Sequence, residues 1–395
     1  MRMQVDPPYK PGTLMLSLGY YEVPLHAGIA AWAKDHHWEL DTSVVSRSHI
    51  PLPDARRNWS AVLATIDRPE VVEWLRGLDC PAVRMLEAGS PELAESVSGI
   101  PKVECDYDSI GEAGARHLLT LGKVNFGFYC HTGGDDSRAI ESAFIRTMRA
   151  AGAEPFVIDF RAEHPEFRIG VLSPRDLWLD WIAAKLSALP LPAAIMTEDD
   201  RFALVLTQAA HRLGLRVPTD IAILGADDNR LLLGSSPIGI SSVDSNLWMV
   251  GYQAADLAAR LVSGEPPPAA PIRIPARPVV VRESTTTFHG QHPKAAAALR
   301  YIRAHFRSPL SVESVANHVG LSARGLQKIM LKEACPSIHQ EILRLRLDAA
   351  EQLLTETHLK LEAIAAETGL GNAKNLCRVF LKHRGTTPRQ SQRSR

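Results

Sequence analysis

A chain of 395 residues, 45% apolar and 22% charged with a formal net charge of zero, is a globular polypeptide too long for one ordinary core, so two or three domains are expected. The neutrality conceals a split: from Lys294 onward there are 17 Lys and Arg against 8 Asp and Glu, and the preceding part carries 27 against 36. A basic tail thus follows an acidic body, the pattern of a polyanion-binding module attached to a domain with another task.

Five widely spaced cysteines without a C-x-x-C pair exclude a disulfide framework and a structural zinc site. The N-terminal MRMQVDPPYKPG has no apolar signal-peptide core, and no apolar run approaches 18 residues. A cytoplasmic chain without a membrane span is expected.

Residues 1–12 read as a tail. From Thr13 onward short β-branched runs alternate with helical patterns: TLMLSLGY then LHAGIAAWAKDHH, WELDTSVV, WSAVLATI then VVEWLRGL, PAVRML then IGEAGARHLLTLG, and NFGFYC then AIESAFIRTMRAAG. PAAIMTE, ALVLTQAAHRLG, DIAILGADD and MVGYQAADLAARLVSG continue the rhythm. This is the pattern of βαβ units and parallel sheets. Residues 13–283 exceed one compact sheet, so two doubly wound α/β lobes with a cleft between them are predicted. IRIPARPVVVRE reads as a final edge strand of one lobe, and 284–293 as a linker.

The body carries no G-x-S-x-G, P-loop, H-E-x-x-H or G-x-G-x-x-G motif, so no catalytic residue, metal or cofactor is assigned and an enzyme is not expected. It carries polar clusters at predicted strand ends, where open α/β sheets bind ligands. These are Gly19-Tyr20-Tyr21-Glu22, Asp106-Tyr107-Asp108, Glu198-Asp199-Asp200-Arg201, Asp227-Asp228-Asn229-Arg230, and Ser245-Asn246-Leu247-Trp248. Carboxylates and amides beside aromatic faces suit a polyhydroxylated ligand. Asp108 and Asp199 have an alternative role as helix N-caps.

The tail, residues 294–390 with 391–395 trailing, contains one short grammar twice. In LSVESVANHVGLSARGLQKIMLKE, Ala316 lies four before Gly320 and Leu326 six after it; in LKLEAIAAETGLGNAKNLCRVFLKH, Ala365 lies four before Gly369 and Leu376 seven after it. Small residue, glycine turn and anchoring leucine are the elements of a helix-turn-helix. The second helix of each unit is expected in the major groove. Arg324, Gln327 and Lys328 in the first unit, and Lys374, Asn375 and Arg378 in the second, are the candidates for base readout. Lys332, Lys382, His383 and Arg384 are the candidates for phosphate contact. The one-residue longer spacing of the second copy predicts non-equivalent readers, with Arg324 and Gln327 carrying more of the selectivity. Between the units, SIHQEILRLRLDAAEQLLTET is apolar at Ile342, Leu345, Ala349 and Leu353, a helical period. About 18 such residues span roughly 27 Å, which with the flanking helices can set the readers near one DNA turn apart.

LGLRVPTDIAILGADD followed by ISSVDSNLWMVGYQAADLAARLVSGEP resembles the sugar-binding core of the lactose-repressor family, itself similar to periplasmic sugar-binding proteins. The tail resembles the arabinose-regulator (AraC/XylS) family at Ala316, Gly320, Arg346, Ala350, Leu353, Leu354, Ile364, Ala365, Gly369, Phe380, Gly385, Thr387 and Pro388. The resemblance implies a two-lobed periplasmic-binding-protein-like sensor with parallel sheets, followed by an all-α DNA-binding domain. It implies sugar contacts from Asp227, Asp106, Asp200 and Tyr21, with Asp228 and Asn246 in the same clusters. One departure stands out. Ile140 occupies the place of the family's ligand-binding arginine, four residues before Phe144, and Arg138 is the nearest substitute.

The expected protein is therefore a dimeric regulator in the bacterial cytoplasm, associated with the nucleoid when bound to promoter repeats. A small sugar, a pentose such as xylose or a relative, would control it, and RNA polymerase would be a partner if it activates. A ligand-independent dimerisation scaffold, or a sugar-acting enzyme with a DNA-binding tail, are the alternatives.

Overall fold

The computed structural model describes residues 9–19, 21–42, 58–66, 69–87, 97, 99–123, 125–132, 134–164, 175–286, 292–332, 337–356 and 359–393. The chain divides into two compact units, one ending at Thr286 and the other beginning at Thr287.

The first unit holds two lobes. In the first, strands β1 (Thr13–Leu18), β2 (Glu39–Asp41), β3 (Ala61–Ile66) and β4 (Ala82–Glu87) form a parallel sheet in the order β2-β1-β3-β4. A bridge between Arg84 and Lys102 joins β4 to the parallel pair of β5 (Val103–Cys105) and β11 (Ile272–Ile274). The central strands β1 and β3 are largely apolar because both sheet faces are covered, and Leu14, Met15, Leu16, Leu63 and Val83 are fully buried. Helix α1 (Val23–His36) packs on the helix over Leu247–Val262. Their backbones approach so closely that a Cβ on Gly28 would lie 1.9 Å from the Trp248 carbonyl, and one on Gly251 would lie 2.1 Å from that of Leu25. Helix α2 (Pro69–Arg76) buries Val71, Val72 and Leu75 against the outer side of β3.

The second lobe is a six-stranded sheet in the order β12-β10-β9-β8-β6-β7, built from β6 (Asn125–Cys130), β7 (Phe156–Asp159), β8 (Ala193–Thr197), β9 (Ile221–Ala226), β10 (Ser241–Val243) and β12 (Val279–Val280). Only the β10–β12 pairing is antiparallel. The helices follow in chain order: α3 (Tyr107–Leu119), α4 (Asp135–Ala150), α5 (Phe160–Glu163), α6 (Arg175–Ser187), α7 (Asp200–Arg212), α8 (Arg230–Leu233) and α9 (Leu247–Val262). The chain passes between lobes three times: from β5 to α3, from β10 back to α9, and from β11 to β12.

Two expectations change here. The proline-rich IRIPARPVVVRE supplies two strands to two lobes rather than one edge strand, because Pro275 to Pro278 is itself a crossing. Ser284 and Thr285, expected in the linker, are buried. The Ser284 hydroxyl donates to the Ile223 carbonyl at 2.5 Å and accepts from the Ser241 amide at 2.8 Å, which ties them into the second lobe.

The second unit is helical: α10 (Pro293–His305), α11 (Val312–His318), α12 (Ala323–Lys332), α13 (Ile338–Glu356), α14 (Leu361–Glu367), α15 (Ala373–Arg384) and α16 (Pro388–Arg393). It has two small cores. One gathers Ala298, Leu299, Ile302, Val315, Ala316, Leu326 and Met330, and the other Ile364, Ala365, Leu370, Leu376, Val379 and Phe380. Helix α13 enters both, with Ile338 and Ile342 in the first and Leu347, Ala350 and Leu354 in the second.

Candidate ligand cleft and nucleic-acid interface

Four charged side chains from both lobes meet at the carboxyl ends of the strands. Glu22 stands at the entrance of α1, where its side chain makes no capping bond. Its Oε2 instead accepts from Asn229 Nδ2 of the second lobe at 3.4 Å. Asp199 follows β8 and caps α7, accepting from the amides of Arg201 at 2.7 Å and Phe202 at 3.4 Å. Its other oxygen takes the Arg201 guanidinium at 3.0 and 2.6 Å. That guanidinium sits over the Phe202 ring at 5.4 Å and keeps about two thirds of its side chain open to solvent.

Asp227 follows β9. It and Asp228 have φ of 96° and 50°, a conformation that carboxylate residues tolerate better than most. Two left-handed residues in succession turn their side chains apart. Asp227 Oδ1 accepts from Ser245 Oγ at 2.7 Å, whereas Asp228 turns inward to Arg282 and to Arg230 at 3.0 Å.

The electrostatics follow from three carboxylates sharing one cation. Burial pushes the Glu22 carboxyl up, Arg201 opposing and Asp199 adding to the shift. Burial, with Asp199 and Glu22 adding, pushes Asp227 up to about 7, against the pull of Ser245 and Arg201. Beside them His131 is held between the rings of Phe160 and Phe202, at 4.3 and 4.5 Å, with Trp178 at 4.3 Å. Burial, with Arg161 and Arg201 adding, lowers its pKa to about 3, so it stays neutral. Among the described residues no group of three or more His, Cys, Asp or Glu is placed to hold a metal ion.

The expected ligand residues separate into two groups. Asp227 joins the cluster, as do Glu22, Asp199 and Arg201, which sequence reading placed in the right clusters without selecting them. Asn246 lies at the lobe crossing with φ of 60°. Its Nδ2 donates to the Pro275 carbonyl at 3.2 Å, while its buried Oδ1 has no partner. Tyr21 is exposed, its hydroxyl 2.8 Å from His26 Nδ1.

Asp106, Asp200 and Asp228 are held in hydrogen bonds or ion pairs within the fold. Asp106 caps α3 through the Ser109 amide. Asp200 is 1% exposed and accepts from Ser242 Oγ and the Asn229 amide, both at 2.7 Å, and Asp228 is held in its ion pairs. Both of these hold the turn that presents Asp227. Asp108 is half-buried and pairs with Arg146 at 3.0 Å rather than capping. Ile140 is buried in the core between α3 and α4, its carbonyl lying where a Cβ on Gly111 would fall. Arg138 is exposed on α4, where Glu141 feels its charge.

In the second unit both helix-turn-helix motifs are formed. Gly320 and Gly369 hold φ of 65° and 71° in the turns, and Ala316 and Ala365 are fully buried at the helix contacts. The extra residue of the second copy lies in the turn: Val319 to Ser322 joins α11 to α12, and Thr368 to Asn372 joins α14 to α15. Ser322 bonds the Gly325 amide at 3.1 Å and Asn372 the Asn375 amide at 2.9 Å, so both recognition helices start identically. Leu326 and Leu376 hold the same helical position, and the expected non-equivalence of the readers therefore does not come from helix register.

Arg324, Gln327, Lys328 and Lys332 of α12 are exposed, as are Lys374, Arg378, Lys382 and His383 of α15. Asn375 is engaged locally, donating to the Leu370 carbonyl at 2.9 Å and accepting from Arg378 at 2.8 Å. Arg384, expected at phosphate, pairs instead with Asp348 and with Glu351 of α13 at 2.8 Å.

Residues 115–285 match the periplasmic binding protein-like domain family, and 315–394 match a helix-turn-helix domain family. Together they define the class: a DNA-binding transcription regulator with a sensor of periplasmic-binding-protein fold. The chain is 28% identical over 363 residues to the xylose operon regulatory protein of Escherichia coli strain K12, covering 91% of this chain and 90% of that protein. It is 26% identical to the xylose operon regulatory protein of Haemophilus influenzae, over 83% and 84%. The chain is thus xylose-regulator-like in architecture, with the sensor first and the reader last. The solved structure of the xylose-binding transcription activator xylR superposes with a TM-score of 0.59 at 24% identity, covering 98% of each chain. A lactose-repressor-family regulator from Mycobacterium smegmatis covers 70% of this chain with a TM-score of 0.51 at 20% identity.

Proposed function

We propose that a small sugar entering the cleft between the sensor lobes controls how the double helix-turn-helix engages DNA. The observation that carries this reading is the cluster of Glu22, Asp199, Arg201 and Asp227 at the carboxyl ends of strands from both lobes. A polyhydroxylated ligand there donates to carboxylates, packs a C–H face on the adjoining aromatic rings, and bridges the lobes. Because the ligand touches both lobes, it binds their closed arrangement more tightly than an open one, the condition for any control of a distant site. The likeness to the xylose operon relatives supports a pentose, while the buried Ile140 argues for a ligand other than xylose itself.

In this reading the working form is a homodimer whose paired tails read promoter repeats, in the bacterial cytoplasm and on the nucleoid when bound. RNA polymerase is a partner where the site favours activation.

The test combines a thermal-shift panel of pentoses, hexoses and their amino derivatives with DNA-binding titrations on the operator upstream of the neighbouring genes. A sugar that raises the sensor's midpoint should change DNA affinity by about fivefold or more. If no panel member moves either quantity, the sensor reading fails and the dimerisation-scaffold alternative takes its place. Product formation from any sugar would instead make the body an enzyme.

A further inference from the structure

We infer that Leu331 and Leu381, one on each recognition helix, are base-reading residues that pack on thymine methyl groups in the major groove. The inference rests on the reading of α12 and α15 as recognition helices, and adds to it an apolar contact that neither charge nor motif assigns.

Leu331 is 81% exposed, more than any other large apolar side chain among the described residues, and Leu381 is 49% exposed. A lone exposed leucine needs no explanation, but these two stand at one position of a repeated structure. Each lies nine residues after the residue that caps its helix, Ser322 or Asn372, and directly after a buried anchor, Met330 or Phe380. With about 100° between successive residues, Leu331 falls within about 20° of Arg324, two turns further on. The exposed Gln327 and Lys328 lie to either side of that line. Leu381 falls in the same way in line with Lys374 and next to Arg378, both exposed. The anchors Leu326 and Met330, like Leu376 and Phe380, occupy the opposite side of each helix and are buried. Both leucines therefore extend the row of side chains expected at base edges.

The surroundings decide what covers them. Lys328 and Lys332 flank Leu331, and Arg378 and Lys382 flank Leu381, all of them exposed. An apolar tip among cations suits a groove walled by phosphates, where the apolar feature on offer is the C5-methyl of thymine. An apolar protein surface laid over the same leucines would have to desolvate those cations without pairing them. Seven residues at about 1.5 Å each put Leu331 about 10 Å along the helix from Arg324. That is about three base steps of roughly 3.4 Å. Each unit thus reads one thymine about that far from the base met by its first cation.

The test uses the full-length protein and the duplex it prefers, obtained by in vitro selection from random sequence. Each thymine is replaced singly by deoxyuridine, which removes the methyl group and keeps the hydrogen-bonding edge. At one thymine for each helix-turn-helix the replacement should weaken wild-type binding by about threefold to tenfold, the burial of one methyl group. Leu331→Ala, at an exposed helical position where alanine is favoured, should lower affinity for the intact duplex by a similar factor. It should also abolish the response to deoxyuridine at one of these thymines and keep it at the other, and Leu381→Ala should do the reverse. An unchanged unfolding midpoint separates a lost contact from a lost fold. Additive effects of leucine and deoxyuridine, or no response to any replacement, would overturn the inference. In that event an Arg324→Ala variant that loses the sequence preference leaves the recognition-helix reading standing, and one that binds as wild type removes both. Leucine variants that bind the duplex as wild type but lose transcription in vitro would overturn the inference in favour of a protein partner.

Discussion

Asp227 and Asp228 are adjacent in sequence and identical in chemistry, yet only one faces the cleft. The difference is set by the left-handed turn that points Asp227 toward Ser245 and Asp228 toward Arg282 and Arg230. The groups around Asp227 are Asp199, Glu22, Arg201, Asp200 and Cys105. Its carboxyl, pushed up to about 7 from an ordinary value of 3.8, gives a pH dependence with a definite sign. A raised acid binds its proton more tightly when folded. Its stabilisation is therefore complete below about pH 3.8 and is lost as pH rises through about 7. Urea denaturation of the ligand-free protein should show wild type losing stability relative to Asp227→Asn between pH 4.5 and 7.5. A difference that grows in the other direction would place the carboxylate in a site that favours its charge.

At the scale of elements, the tail was legible and the sensor only in part. Ala316, Gly320 and Leu326 fix a helix-turn-helix because each has a steric reason for its spacing, and the repeat at Ala365, Gly369 and Leu376 confirms the reason. The strand–helix rhythm revealed the lobes for the same cause, a two-sided buried sheet. Short elements such as β10 and β7 escaped, since three or four residues carry no period of their own. The roles of Asp106, Asp200 and Asp228 escaped too: a carboxylate that caps a helix and one that meets a ligand look alike until their hydrogen bonds are known.

Two tests belong here. A Cβ on Gly369 would lie 2.7 Å from the Arg307 carbonyl and 3.0 Å from Arg346 Nε, at a φ of 71°. Arg346 itself bonds the Phe306 and Ser308 carbonyls at 2.7 and 2.9 Å. Gly369→Ala should therefore destabilise the tail by about 1–3 kcal/mol and weaken operator binding, read as a lowered unfolding midpoint and a raised Kd. On α12, Gln327→Ala should cost about 1–3 kcal/mol at the preferred operator and relax preference at one base pair. Lys332→Ala should weaken all sequences alike and reduce the salt slope by about one. Equal effects of both variants on specific and random DNA would remove Gln327 from base readout.

At the scale of the whole molecule, charge and architecture agree. The basic 102 residues from Lys294 contain the exposed cations of α12 and α15, and the acidic remainder contains the carboxylate-lined cleft. The sequence could place both functions on the chain because charge segregation survives folding. It could not say which carboxylates face the ligand, since that depends on turns a few residues long. Nor could it show that α13 belongs to two cores at once, which makes the pair of readers one cooperative body.

The three crossings between the lobes have a consequence for how the chain is made. The first lobe is not contiguous: α1 must wait for α9, more than two hundred residues later, and β5 must wait for β11. Five strands of the second lobe are complete by Val243. During synthesis from the N-terminus the second lobe can therefore close first, while the sheet of the first lacks α9 and the β5–β11 pair until residue 274 emerges. The half of the sensor that is translated first is the half that finishes last, and a pause in translation near residue 250 would prolong its most aggregation-prone interval.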